Sequence, residues 1–201
     1  SHSSLDYDDT LDIEPAGTTR CLFFGLGADG TVGANKNSVE ILGNQPGRYA
    51  QAYFDYDSHK SGAETASHLR FGAAPIRAPY LVRHADFVAC HKFEFLFRRD
   101  VLGAAKEGGI FLLNSPYGPD EVWDRLPRRV QEQIITRRLS FYVIDASAVA
   151  QRVGLGPRVN TILQTCFFHL SNVLPADEAI RQIKAFIQKS YGDKGQRIVE
   201  L

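Results

Sequence analysis

Cys21-Leu22-Phe23-Phe24-Gly25-Leu26-Gly27-Ala28-Asp29-Gly30-Thr31-Val32-Gly33-Ala34-Asn35-Lys36 decides how the 201-residue chain is read. A short apolar run leads into a glycine-rich loop, and residues 34–42 are helix-like until Gly43. The stretch reads as strand, loop, helix. Glycine permits positive φ and close backbone approach. A helix N-terminus presents unpaired N–H groups and about half a positive charge, so phosphate is a natural guest. Gly25-x-Gly27-x-x-Gly30 also satisfies the dinucleotide fingerprint in its proper place between strand and helix. The next acids at a strand end, Asp55 and Asp57, come about thirty residues after Gly25, later than the roughly 20 that a ribose contact expects. Spacing alone leaves two readings open: a phosphate or nucleotide site, or a tight turn required only by packing.

Working outward, Tyr49-Ala50-Gln51-Ala52-Tyr53-Phe54-Asp55-Tyr56 is aromatic and alternating, a second strand. The polar run Asp57-Ser58-His59-Lys60-Ser61-Gly62 is then a loop at its carboxyl end, the edge at which open α/β sheets take ligands. Thr31, Asn35 and Lys36 fall in the first turns of the helix, where a hydroxyl, an amide and an ammonium reach a phosphate; for Lys36 the plain alternative is a solvated charge. His59 and Lys60 either share that edge as ligand contacts or belong to an ordinary exposed loop.

Further along, residues 65–71 predict an extra strand or hairpin arm, 86–90 a buried strand, and 95–106 a helix stopped by Gly108-Gly109. Residues 110–114 and 140–145 read as strands. Between them, 127–138 reads as a helix with Val130, Ile134 and Ile135 on one face. Residues 146–153, 159–170 and 176–190 are helical, the last turning Ala179, Ile180, Ile183, Phe186 and Ile187 inward. Strands separated by helices predict the α/β class, a Rossmann-like doubly wound, mostly parallel sheet with helices on both faces. Residues 1–19 read as an acidic linker or arm and 20–201 as a single domain.

Formal net charge is zero, but Asp6, Asp8, Asp9, Asp12 and Glu14 lie in the first nineteen residues without a Lys or Arg, so the body is mildly basic. That suits a phosphorylated small molecule and excludes a nucleic-acid face, which needs clustered cations. No apolar run approaches the roughly 20 residues of a membrane span. Cys21, Cys90 and Cys166 are far apart in apolar runs, which predicts reduced core thiols in a cytoplasmic protein; no Cys-x-x-Cys is present to hold an iron–sulfur cluster. Cys90 and His91, as neighbours on a strand, point to opposite faces and make no nucleophile–base pair. His68 and His169 read as core or surface residues, and Ser61 and Ser115 have no base nearby in sequence. A ligand loop without an acid–base set predicts a binding domain with no catalytic or metal-ligating residues of its own. The absence of methionine, even at position 1, is read as a piece of a longer polypeptide.

Phe24-Gly25-Leu26-Gly27-Ala28-Asp29-Gly30-Thr31-Val32-Gly33-Ala34-Asn35-Lys36-Asn37-Ser38, Tyr53-Phe54-Asp55-Tyr56-Asp57-Ser58-His59-Lys60-Ser61-Gly62, Ser67-His68-Leu69-Arg70-Phe71-Gly72 and Asp86-Phe87-Val88-Ala89-Cys90-His91 together say more than periodicity. With Phe111-Leu112-Leu113-Asn114-Ser115 and Thr165-Cys166-Phe167-Phe168, this ordered series resembles the gamma-type domain of pyruvate:ferredoxin (flavodoxin) oxidoreductases over residues 20–201. The resemblance implies one module of a multi-domain cytoplasmic enzyme, dimeric when full-length, that decarboxylates pyruvate on thiamine diphosphate. Electrons would pass through [4Fe-4S] clusters to ferredoxin or flavodoxin and the acetyl group to coenzyme A. Thiamine diphosphate and the clusters would sit in other domains, and this module, inactive alone, would help bind coenzyme A. By the same resemblance, Gly27, Asp29, Gly30, Thr31 and Lys60 meet its nucleotide and phosphate end, with His59 where the family often carries a second lysine. Two other functions compete: an NAD(P)-binding dehydrogenase domain, and a non-binding module that holds neighbouring domains together. A module taken from a larger enzyme is also expected to leave apolar patches where neighbours sit.

Overall fold

The computed structural model describes residues 14–57 and 64–191. Six strands, β1 (Thr19–Leu26), β2 (Tyr49–Asp57), β3 (Glu64–Gly72), β4 (Ala85–Cys90), β5 (Ala105–Asn114) and β6 (Ser140–Ile144), form one sheet in the order β2-β3-β1-β4-β5-β6. Helix α1 (Thr31–Gly43) follows β1, α2 (Phe95–Arg98) follows β4, and α3 (Pro119–Arg125) and α4 (Arg128–Thr136) join β5 to β6. After β6 come α5 (Ala146–Arg152), α6 (Val159–Ser171) and α7 (Ala176–Tyr191).

The sheet is the mostly parallel α/β sheet that the sequence predicts. β1, β4, β5 and β6 pair in parallel, while β3 pairs antiparallel with both β1 and β2. β2 therefore runs the same way as β1 but does not touch it, because the run at residues 64–72 is inserted between them. The first strand–helix–strand unit is split by that insertion.

Both faces of the sheet are covered. Cys21 and Phe23 point to the face packed by α1, α5, α6 and α7, and Leu22 and Phe24 to the face packed by α2, α3 and α4. Such double burial explains why β1 is a continuous apolar run rather than an alternating one. Phe167 of α6 anchors the first face, its ring centroid 5.1 Å from Phe23 and 5.1 Å from Phe87. On α4, Val130 and Ile134 face inward while Ile135 is 65% exposed, because a step of five residues turns a helical side chain about 140° away. On α7 Ala179 and Ile183 are buried and Ile180 is exposed; the side chains of Phe186 and Ile187 lie outside the described residues.

The predicted helix at 95–106 is corrected. It ends at Arg98, where Arg99 turns extended (φ −128°, ψ 154°), and the chain enters β5 at Ala105. Gly108 and Gly109 lie inside that strand, not at a helix end. Gly108 takes φ 71°, and a Cβ on Gly109 would come within 3.1 Å of the Asp86 carbonyl, beside an irregularity in the β4–β5 register.

Part of the acidic arm is fixed to the fold. Glu14 Oε1 accepts from Arg70 Nε at 2.7 Å, both side chains being buried, and Arg70 also donates to the Tyr80 carbonyl at 2.8 Å. Residues 1–13 lie outside the described residues. β2, at one edge of the sheet, exposes Tyr49, Tyr53 and Tyr56.

Candidate functional site

The parallel strands end together at one edge, where Leu26, Cys90 and Asn114 hand over to loops. β1 continues into α1 on one face and β4 into α2 on the other, so a crevice opens between their ends, as open α/β sheets dictate. This is where the glycine loop sits.

The loop is held in part by one of its own side chains. Asp29 folds back so that Oδ2 accepts from Leu26 N–H at 2.9 Å and Oδ1 from Thr31 N–H at 2.8 Å. A carboxylate thus already lies against the positive end of α1, a favourable placement. Gly25 is glycine because α1 starts directly above it, and a Cβ there would fall 2.3 Å from Thr31 Oγ1. Gly30 takes φ 85°, and a Cβ would come within 2.9 Å of Asn160 Nδ2. Gly27 and Ala28 form the exposed tip. Two of the three fingerprint glycines therefore serve contacts within the chain.

Thr31 is fully buried. Its hydroxyl lies 2.8 Å from His91 Nδ1, and Asn160 from the start of α6 donates to the Asp29 carbonyl. His91 follows β4, and its carbonyl accepts from Asn114 Nδ2 at 3.1 Å; Asn114 Oδ1 in turn accepts from Ala146 N–H at 3.0 Å. Burial is the main force on the imidazole and lowers its pKa to about 4, the nearby Asp29 carboxylate opposing. His91 is therefore neutral at physiological pH. A cavity of about 270 Å³ opens beside this chain of contacts, lined by Asp29, His91, Lys92, Asn114, Ser147 and Asn160 among others.

The sequence-derived candidates divide. Of the loop candidates only Asp29 lines the cavity; Gly27 and Gly30 lie outside its lining, and the Thr31 side chain is fully buried with its hydroxyl on His91. Asn35, on the inner side of α1, is 3% exposed, and its Nδ2 has no hydrogen-bond partner among the described residues. Lys36 is exposed on the β2 side of the helix, with Nζ 5.6 Å from the centroid of Phe54. Neither lines the cavity. His59 and Lys60 lie outside the described residues, though the strand ends on either side of them, Asp57 and Glu64, lie at the same edge and Glu64 pairs with Leu26.

Sequence reasoning missed His91, Asn114 and Asn160 as site residues. Their signal was weak: polar side chains at two strand ends and a helix start. Among the described residues no three His, Cys, Asp or Glu side chains gather as for a metal, and no helix is long and apolar enough to cross a membrane. Cys21, Cys90 and Cys166 are free, the first two buried and the third half-buried.

The fold and this edge define an α/β domain with a polar crevice at the carboxyl ends of its parallel strands. Residues 20–201 match the family Pyruvate ferredoxin/flavodoxin oxidoreductase, and the chain belongs to that family. It is 56% identical over 201 residues to the pyruvate-flavodoxin oxidoreductase of Trichormus variabilis, a match that covers 100% of this chain and 17% of that protein. The chain thus spans about a sixth of the curated relatives' length. Its fold matches pyruvate oxidoreductase subunit PORC from Thermotoga maritima, with TM-score 0.68 at 18% identity over 91% of this chain and 90% of that one. It also matches the 2-oxoglutarate:ferredoxin oxidoreductase of Magnetococcus marinus, with TM-score 0.60 at 14% identity, covering 92% of this chain and 32% of that one.

Proposed function

We propose that this chain is the coenzyme A-binding domain of an enzyme that oxidises pyruvate and passes electrons to ferredoxin or flavodoxin, the acetyl group leaving on coenzyme A. The observation that carries the reading is the cavity between the glycine loop, Asn114 and Asn160, in a chain whose whole length aligns with a pyruvate-flavodoxin oxidoreductase. Support also comes from the Magnetococcus marinus neighbour, whose structure holds coenzyme A and succinyl-CoA.

On this reading the diphosphate does not sit on Thr31. It occupies the cavity, where the half-buried Lys92 supplies positive charge and Ser147 a hydroxyl. Gly27 at the exposed loop tip and Gly30 leave room for it, while Asp29 shapes the loop from within. Lys36, His59 and Lys60 would meet the more distant phosphate, and Asn35 would face inward from α1 without touching the ligand. Thiamine diphosphate and [4Fe-4S] clusters belong to other domains of the parent enzyme, a cytoplasmic dimer. The exposed Tyr49, Tyr53 and Tyr56 suit contacts with those domains. The acidic stretch ahead of β1 leads into the domain, and the domain alone is inactive.

A titration followed by thermal unfolding tests this. Coenzyme A raises the melting temperature and NAD does not. Stabilisation by NAD alone rejects the reading in favour of a dehydrogenase domain, and a shift with neither ligand favours a structural module.

A further inference from the structure

The glycine loop owes its shape to residues that come much later in the chain. Asn160 donates to the carbonyl of Asp29, 131 positions earlier. His91 reaches Thr31 Oγ1 at 2.8 Å across 60 positions, and Asn114 ties the His91 carbonyl to the first amide of α5. The three side chains form one hydrogen-bonded series running from α6 through the loop and the end of β4 to α5. All three also line the cavity.

We propose that His91, Asn114 and Asn160 are positioning residues for coenzyme A: they fix the backbone at Asp29, Gly30 and Thr31 and so keep the cavity in its ligand-ready shape. This rests on the coenzyme A reading above. Three features carry it. Apart from Asp29, the loop offers no packed side chain to stiffen it, since Gly27, Ala28 and Gly30 are exposed. The amides of Leu26 and Thr31 are fixed through Asp29, so the loop moves as a unit with that residue. That unit is attached to the rest of the domain through Asn160 at one end and His91 at the other. Without those bonds the loop gains freedom that ligand binding must then remove, which weakens affinity without touching distant chemistry.

The test uses the complete oxidoreductase that carries this domain. Asn160→Ala and Thr31→Val, which cuts the His91 bond, raise KM for coenzyme A at least tenfold, while kcat and KM for pyruvate stay within twofold. Thr31→Ser, which keeps the hydroxyl, recovers affinity to within about threefold of the parent. Asn114→Asp, which retains the acceptor for Ala146 but loses the donor to His91, gives an intermediate loss and serves where an alanine variant fails to fold. An unchanged KM for coenzyme A, or a fall in kcat with an equal rise in both KM values, overturns the proposal. Ser147→Trp, which fills the cavity, separates the two levels. If it raises KM for coenzyme A while Asn160→Ala and Thr31→Val do not, the positioning role fails and the binding site stands; if it has no effect, the binding site itself is misplaced.

Discussion

Thr31 Oγ1 and His91 Nδ1, both on buried residues, stand 2.8 Å apart, so the first residue of α1 is fastened by a hydrogen bond to the end of β4. Burial holds the imidazole neutral at physiological pH.

That neutrality costs stability in acid. The unfolded chain takes up a proton on His91 near the ordinary pKa of about 6.5, whereas in the folded state burial lowers the pKa to about 4. A lowered histidine pKa leaves stability unaffected above pH 6.5 and removes it as pH falls from there towards 4, by up to about 3 kcal/mol. His68, lowered by burial and by Arg70, acts in the same direction. Urea unfolding at pH 7 and pH 5 checks this: the parent loses more stability over that interval than His91→Asn, and equal losses refute it.

Two glycines of the same stretch respond oppositely to alanine. Gly25→Ala drives a methyl into Thr31, whose Oγ1 would lie 2.3 Å away, and destabilises by about 1–3 kcal/mol or more. Gly33 lies within α1, and its Cβ position meets nothing within 4 Å, so Gly33→Ala stabilises by about 0.5–1 kcal/mol. Chemical denaturation of the two variants decides.

Removing Glu14 leaves the Arg70 guanidinium buried without its carboxylate, since the Arg70 side chain is 1% exposed. Glu14→Ala is expected to cost about 3–5 kcal/mol. The double variant Glu14→Leu with Arg70→Met recovers most of that loss, because it removes both charges together. Unfolding curves of the single and double variants measure the difference.

Thiol labelling should separate the cysteines. Burial pushes Cys90 up to about 12 and Cys21 well above its ordinary value, while Cys166, also raised, is only half-buried. An aromatic disulfide reagent at pH 8 labels Cys166 slowly in the native protein and the other two only in denaturant. Fast native labelling at Cys90 contradicts the packing around β4.

The α/β class was legible because its signals are local: an apolar run, a glycine loop and a helix of the right length at 21–43 suffice. Strand order was not. Nothing in residues 64–72 announces that they slip between β1 and β2, since lateral placement is decided by the partners on either side. The false helix at 95–106 shows the same limit, because the extended turn at Arg99 accompanies an ion pair to Glu64, 3.5 Å away and distant in sequence. At the site, the glycine spacing located the loop and left open whether a ligand or packing requires it. Gly25 and Gly30 are demanded by Thr31 and Asn160, and Asn160 lies too far along the chain for any spacing rule to connect it with the loop.

Those long separations also bear on the order of assembly. Contacts spanning 60 and 131 positions close large loops and so form late. As the chain emerges from the ribosome, β1 and α1 are made long before Asn160 exists. The crevice would take its working form only once α6 has docked, so a nascent or truncated domain would carry the motif without the site.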